Sequence, residues 1–292
     1  MINAIAILFS GSIWLWTVFK KDHYEKEPLF QLLSIALIGG GMSVIPAGFF
    51  NSIVSAWFDI DGSSPSLVKN IGFFSFVGLN EEFWKAFATI YLIYKHHEFN
   101  EPVDGVIYAM TVALGFAVIE NFSYISQYGL GILVDRHFVS VPGHIGFAMC
   151  WGYGLALAKF KYPERNVWRV VLPYLLVGAA LHGLFDVLAS TSSRLVLGSS
   201  FALVLGLYIV GNKRLQTLLL HSPFRPVGHC IKCQTHNVEE AKFCRQCGSD
   251  MQMNPDLFPT NALTAVDKIC AHCQTNNVSD AHFCKQCGNA VS

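Results

Sequence analysis

Apolar stretches of roughly 18 residues or more, the length a helix needs to cross about 30 Å of hydrocarbon, recur from Ile2 to about Gly211 and then stop. The pattern predicts helical spans near residues 2–19, 29–57, 66–94, 105–125, 138–160, 167–190 and 195–211. The second and third stretches are long enough to tilt, kink or re-enter, and Gly39, Gly40, Gly41 and Pro46 offer places to bend. The first stretch lacks a basic leader and a small-residue cleavage site, and Lys20 and Lys21 follow it directly. It reads as a retained anchor, with the mature chain expected to begin at or near Met1.

The expected fold class is therefore an all-α polytopic membrane protein of about seven transmembrane helices, followed by two small units whose repeated pairs of C-x-x-C motifs resemble zinc ribbons. The membrane domain is assigned to residues 1–215 and a linker to 216–228. The ribbons take 229–249 and 268–292, with a polar linker at 250–267 between them. A chain that is 52% hydrophobic and 14% charged could also be a large soluble domain, but the clustering of its apolar residues excludes that.

Zero net charge argues against a general nucleic-acid partner, so the charge signal lies in its distribution. Lys20, Lys21, Lys26, Lys95, Lys159, Lys161, Arg165, Arg169, Lys213 and Arg214 all fall on one side of the predicted topology. The other side has little beyond Arg136 and Arg194, with Lys69 just inside a span. Basic loops stay cytoplasmic, so the N-terminus is expected outside and the C-terminal tail in the cytoplasm of a prokaryotic cell, with the chain in its plasma membrane.

Eight of the nine cysteines fall in two copies of one pattern. Cys230, Cys233, Cys244 and Cys247 form the first, and Cys270, Cys273, Cys284 and Cys287 the second, 40 residues on. Both copies share C-x-x-C-Q-T-x-N-V and then A-x-F-C-x-Q-C-G, so the repeat is genuine. Two C-x-x-C knuckles supply four thiolates to a closed structural zinc site, and reducing cytoplasm favours metal over disulfides. Two structural zinc ions are expected, each supplying most of the folding energy of its small unit. Such closed sites usually present a surface to a protein partner. The ninth cysteine, Cys150, lies in the fifth span and reads as a packing residue.

Glu81, Glu82, Lys85, Glu120, His144, His182 and Asp186 all fall inside apolar spans. Each charge near the bilayer centre costs roughly 2.5 to 3.5 kcal/mol, so four unpaired acids would cost on the order of 10 kcal/mol. They need partners. Lys85 lies one turn from Glu81 and on nearly the same face as Glu82, which allows an internal ion pair. Glu120 shares a face with Phe116, and Asn121 can extend its network. His182 and Asp186 stand at i and i+4, as two metal ligands or as an imidazole with its orienting carboxylate. Counting residues along each helix places the whole set in one layer, mostly in the outer half of the bilayer. Such a layer contains the parts for hydrolysis: histidines and carboxylates to hold a metal, and a spare carboxylate to act as general base.

These residues resemble the PrsW family of intramembrane proteases, within the wider CAAX-protease-like superfamily. The family pattern is a double Glu with a nearby Lys, then F-x-x-x-E, then a His, then H-x-x-x-D. The chain has Glu81-Glu82-x-x-Lys85, Phe116-x-x-x-Glu120, His144 followed by Gly-Tyr-Gly at 152–154, and His182-x-x-x-Asp186, in that order. The resemblance covers about residues 1–215 and implies cleavage of a membrane-bound protein, in the best-known case an anti-sigma factor, on its extracytoplasmic side. It leaves two chemistries open. In one, His144, His182 and Glu120 or Asp186 surround a catalytic metal, with Glu81 or Glu82 as base. In the other, a glutamate activates water without metal while the histidines stabilise the oxyanion. The competing functions are a non-catalytic scaffold of the same superfamily and a proton-coupled transporter. Retention of both Glu81 and Glu82 argues against the first, and the lack of repeated halves against the second.

Overall fold

The computed structural model of the chain describes residues 2–58, 67–190, 194–225, 228–237, 241–251, 268–269, 272 and 276–277. Seven helices of 18 residues or more occupy the seven expected stretches: α1 Ile2–Phe19, α2 Leu29–Phe58, α3 Leu67–Ile93, α4 Asp104–Tyr128, α6 Val141–Phe160, α7 Val167–Ala189 and α8 Arg194–Leu220. A one-turn helix, α5 Leu133–Asp135, lies between α4 and α6. Four of the seven, α1, α2, α4 and α7, are long and apolar enough to cross a membrane among the described residues.

These helices are apolar nearly all round, as suits a helix that meets either lipid or protein on every side. α4 and α6 form the interior. Asp104 to Ala117 is buried without interruption, and so is most of α6. Around them α1, α2 and α7 expose Phe9, Phe30, Leu37, Phe49 and Leu176 on their outer faces, where hydrocarbon would replace water.

Close helix crossings are made where glycines meet. A Cβ on Gly115 of α4 would stand 1.8 Å from the Ala36 carbonyl oxygen of α2, and one on Gly78 of α3 would stand 2.6 Å from the Gly183 nitrogen of α7. Small residues let backbones approach and gain van der Waals contact that lipid cannot supply. The second crossing matters for the site, because Gly78 lies three residues before Glu81 and Gly183 directly follows His182.

Three features differ from the sequence reading. α2 runs unbroken through Gly39, Gly40, Gly41 and Pro46, and α3 is also a single helix. The stretch before α6 folds as a 3₁₀ turn at Leu130–Ile132, then α5, then a π-helical turn at Arg136–Ser140. α8 continues to Leu220, past the expected boundary at 215, because Leu215, Leu218 and Leu219 at helical spacing pack into the core after the apolar run has ended.

The α1–α2, α3–α4 and α6–α7 connections share one end of the bundle with the end of α8. There Lys159 Nζ donates to the Tyr94 carbonyl (3.0 Å) and Lys21 Nζ to Asn212 Oδ1. Beyond α8 the first cysteine unit forms two knuckles, closed by bridges between His229 and His236 and between Phe243 and Asp250. Each knuckle turns on a left-handed residue after its second cysteine, Gln234 (φ 60°) and Gly248 (φ 69°). In the second unit a two-residue antiparallel pair, β1 Lys268–Ile269 with β2 Asn276–Asn277, is described. Cys270, Cys273, Cys284 and Cys287 lie outside the described residues.

Candidate active site

α3, α4, α6 and α7 bring all seven sequence-predicted residues into one buried cluster. Lys85 is its hub. Its ammonium donates to Glu82 Oε1 (2.8 Å) and to His144 Nδ1 (2.9 Å), lies 3.4 Å from Glu81 Oε2, and sits 4.0 Å from the centre of the Phe116 ring. A buried ammonium needs such partners, because an unpaired charge in an apolar interior is far more costly than a paired one.

The two adjacent glutamates have different surroundings. Glu82 is fully buried and accepts from three donors: Lys85 and His182 Nδ1 (3.0 Å) on Oε1, and Trp151 Nε1 (2.8 Å) on Oε2. Glu81 accepts from Asn51 Nδ2 (3.2 Å) and forms part of the wall of a cavity of about 190 Å³. Glu120, Arg136, His144, His182 and Asp186 form other parts of that wall, whereas Glu82 does not reach it.

The histidines are oriented from behind. With Glu82 accepting the Nδ1 proton of His182, its Nε2 presents a lone pair toward Asp186 Oδ2 (3.6 Å) and Glu81 Oε2 (3.8 Å). Lys85 has no acceptor, so in the metal-free cluster His144 Nδ1 accepts from it and Nε2 carries the proton donated to Glu120 Oε2 (3.1 Å); His144 could ligate a metal only through Nε2, once that proton has left it. Glu120 is also paired with Arg136, whose guanidinium donates to Asn121 and lies 3.9 Å from the centre of the Tyr124 ring.

These donors fit a metal. One ligand atom from each of Glu81, His144 and His182 lies within 4.8 Å of the others. Two donors each about 2.1 Å from an ion stand roughly 3.4 Å apart in a tetrahedral shell, close to the His182 separations above. A carboxylate behind a ligating imidazole, as Glu82 stands behind His182, is the usual supporting arrangement. The sequence reading groups Glu120 or Asp186 with the histidines and keeps Glu81 or Glu82 as base. Among the described residues it is Glu81 whose carboxylate comes within 4.8 Å of both histidines, while Glu120 and Asp186 line the same cavity, each beside one histidine.

Arg136, Asn51, Asn80 and Trp151 enter the site without having been singled out. Asn80 donates to the Ala47 carbonyl (2.9 Å) and to Asn51 Oδ1 (2.8 Å), which fixes the amide that reaches Glu81. The sequence reading places Arg136 among the loop charges. The π-helical turn brings it back over Glu120, and such turns often occur at functional sites.

In the tail, Cys230, Cys233, Cys244 and Cys247 are free thiols that converge on one point. Sγ atoms of Cys233 and Cys244 are 3.5 Å apart, and those of Cys230 and Cys247 3.6 Å. Four sulfurs at about 2.3 Å from zinc would be separated by about 3.8 Å. Backbone N–H groups of Cys247 and Gln246 favour the Cys244 thiolate, holding it down at about 6.

Comparison with known proteins agrees with this geometry. Residues 27–211 match the family described as PrsW family intramembrane metalloprotease. The chain belongs to that family, and it is an intramembrane protease. Residues 230–288 match the double zinc ribbon. The chain is 31% identical over 225 residues to Protease PrsW of Clostridioides difficile, covering 75% of this chain and 91% of that one. It is 33% identical over 177 residues to Protease PrsW of Geobacillus kaustophilus (60% and 73% covered) and 29% over 180 residues to that of Bacillus subtilis (60% and 76% covered). No solved structure matches the chain.

Proposed function

We propose that the chain spans the membrane seven times and cleaves a membrane-bound protein in the extracytoplasmic half of the bilayer, with its zinc tail in the cytoplasm. The observation that carries this reading is the convergence of Glu81, His144, His182 and Asp186 on one small cavity. Its depth follows from helix position. Glu120 lies eight residues from the end of α4 and His144 three from the start of α6, roughly 12 Å and 5 Å from the face opposite the basic loops.

Glu81, His144 and His182 are the residues that would hold the metal the family name implies. Bound there, it would polarise the scissile carbonyl and acidify water. Asp186 takes the proton from the attacking water. It shares the cavity, is partly exposed and makes no ion pair with a lysine or arginine among the described residues, while Glu120 is committed to Arg136. Arg136 positions Glu120 and keeps a cation on the cavity wall. A cavity of about 190 Å³ is far too narrow for an intact helix, so the substrate must present an unwound segment. The substrate class carried over from the family is an anti-sigma-factor-like membrane protein. The zinc units offer a surface to a cytosolic protein.

The test compares new protein N-termini in membranes carrying the wild type or Glu81→Gln at matched levels, together with metal content of the purified chains. Cleavages that vanish, with metal lost in Glu81→Gln and kept in Asp186→Asn, support the assignment. Full activity in metal-free protein overturns the metal role, and unchanged N-termini overturn the substrate reading.

A further inference from the structure

The loops joining α1 to α2 and α3 to α4, with the first residue of α4, carry six carboxylates far from the cavity: Asp22, Glu25, Glu27, Glu98, Glu101 and Asp104. Asp22, Glu27, Glu101 and Asp104 are buried. The two loops are built alike. Each contains a Glu-Pro pair, Glu27-Pro28 ahead of α2 and Glu101-Pro102 ahead of α4, and each is braced by an aspartate. Asp22 Oδ2 accepts the Glu27 N–H (2.6 Å), and Asp104 Oδ2 accepts those of Asn100 (2.9 Å) and Glu101 (2.8 Å).

That bracing brings negative charges together. Glu27 is repelled by Glu25, Glu98 and Asp22, and Asp104 by Glu101, Glu27 and Asp22. Lys26 attracts Asp22 and Lys159 attracts Asp104, but only from a distance: the Lys159 ammonium bonds the Tyr94 carbonyl, Lys26 lies over the Phe19 ring, and Arg225 bonds the Leu220 and His229 carbonyls. Asp22, Glu27 and Asp104 form no ion pair with a lysine or arginine among the described residues.

An independent observation points to a ligand. Glu27 is 1% exposed, yet neither carboxylate oxygen meets a hydrogen-bond donor at bonding geometry, and the Oδ1 atoms of Asp22 and Asp104 are bare in the same way. The Tyr108 hydroxyl, which accepts from Gln31 Nε2 (2.8 Å), keeps its proton for Glu27 and interacts with that carboxylate without reaching bonding geometry, which leaves most of the carboxylate's lone pairs unfilled. Buried polar atoms are nearly always satisfied, so these oxygens need an occupant. One oxygen each from Glu25, Glu27 and Glu98 lies within 4.8 Å of the others.

We propose that these two loops form a site for a hard divalent cation of the Ca²⁺, Mg²⁺ or Mn²⁺ class, held by Glu25, Glu27 and Glu98. Its all-oxygen donor set separates it from the histidine cavity and from the thiolate tail. The ion ties the α1–α2 connection to the α3–α4 connection, and so fixes the starts of α2 and α4 at the end of the bundle opposite the cavity.

The test uses the full chain in lipid nanodiscs with its zinc retained, in a His144→Ala/His182→Ala background that removes histidine ligands from the cavity. Mn²⁺ is titrated and followed by electron paramagnetic resonance, then competed with Ca²⁺ and Mg²⁺. A single saturable Mn²⁺ that the harder ions displace, and that Glu98→Gln or Glu27→Gln weakens about tenfold or more, supports the site. Glu98 is partly exposed, so its variant should fold, and the same comparison in the otherwise wild-type chain covers a failure of the histidine variant. No saturable binding at millimolar Mn²⁺, or an affinity in both glutamine variants unchanged from that of the parent chain, overturns it. A carboxylic acid infrared band that persists in excess Mn²⁺ and vanishes in Glu27→Gln also overturns it, because protons would then occupy the loops.

Discussion

Glu82 accepts the ring proton of His182 at 3.0 Å, although 100 residues separate the two and each is almost fully buried. This one bond distinguishes the adjacent glutamates. Glu82 works from behind the histidine, and Glu81 works in front of it. Replacing Glu82 by Gln would turn an amide N–H₂ toward Lys85, His182 or Trp151, all of them donors, and leave Lys85 short of a counter-charge. Breaking a buried pair in this way costs about 3 to 5 kcal/mol. Glu82→Gln is therefore expected to lower the melting temperature markedly as well as activity. Glu81→Gln, at the cavity wall, should lose activity with much less loss of stability. Thermal melts of the two purified variants beside a reporter-cleavage assay check this. Equal destabilisation by both would show that the glutamates share one structural role.

Arg136 and Glu120 form a second separable pair. Arg136→Gln leaves Glu120 on the cavity wall with His144 as its remaining direct partner among the described residues, and a loss of about 1 to 3 kcal/mol is expected. The double variant Glu120→Gln/Arg136→Gln should recover much of that stability and none of the activity. Arg136→Lys keeps the charge but cannot reach Asn121 and Glu120 together, so it should fall between the two. A double-mutant cycle on melting and cleavage measures this coupling. Additive effects on stability would show that the pair does not interact.

Metal removal should affect the tail and the bundle differently. A tail unit with four converging thiols and little apolar core folds on its metal. Chelation of the full chain is expected to open residues 228–251 to protease while α1 to α8 keep their melting transition, and Cys244→Ser should reproduce the opening. Limited proteolysis with mass spectrometry, beside circular dichroism, reads both. Loss of the helical transition on Cys244→Ser would mean that the tail supports the bundle, through contacts such as Gln234 with His23.

Much of this site was legible in the sequence because charge inside an apolar run is costly and therefore conspicuous. Glu81, Glu82, Lys85, Glu120, His144, His182 and Asp186 stand out for that reason, and all converge. Arg136 was missed because the backbone around it departs from α-helical periodicity, so residue counting left it in a loop. Trp151 and Asn80 were missed because each is an unremarkable helix residue until its partner, Glu82 or Asn51, is known. The acidic loops were passed over for the opposite reason. Carboxylates in a connection between helices look solvated, and only the structure reveals that the Asp22 and Asp104 braces fold them inward.

The α3–α7 crossing gives the last prediction, since it ties helix packing to the chemistry. A Cβ on Gly183 would stand 2.7 Å from the Phe74 carbonyl oxygen and 3.0 Å from the Ser75 Cα, both backbone atoms that cannot swing away. Gly183→Ala must push α7 from α3 by several tenths of an ångström, an overpacking cost of about 1 to 3 kcal/mol. His182 moves with α7 and Glu81 and Glu82 stay on α3, so the 3.0 Å bond to Glu82 lengthens and the ligand trio spreads. Activity should fall further than stability, because misplacement by about 1 Å at a reacting centre can cost about 10²-fold in rate. Gly72 of α3 has open space around its Cβ position and provides the control: Gly72→Ala should leave both unchanged. If Gly183→Ala cleaves a reporter at the wild-type rate, the crossing does not set the spacing of the site.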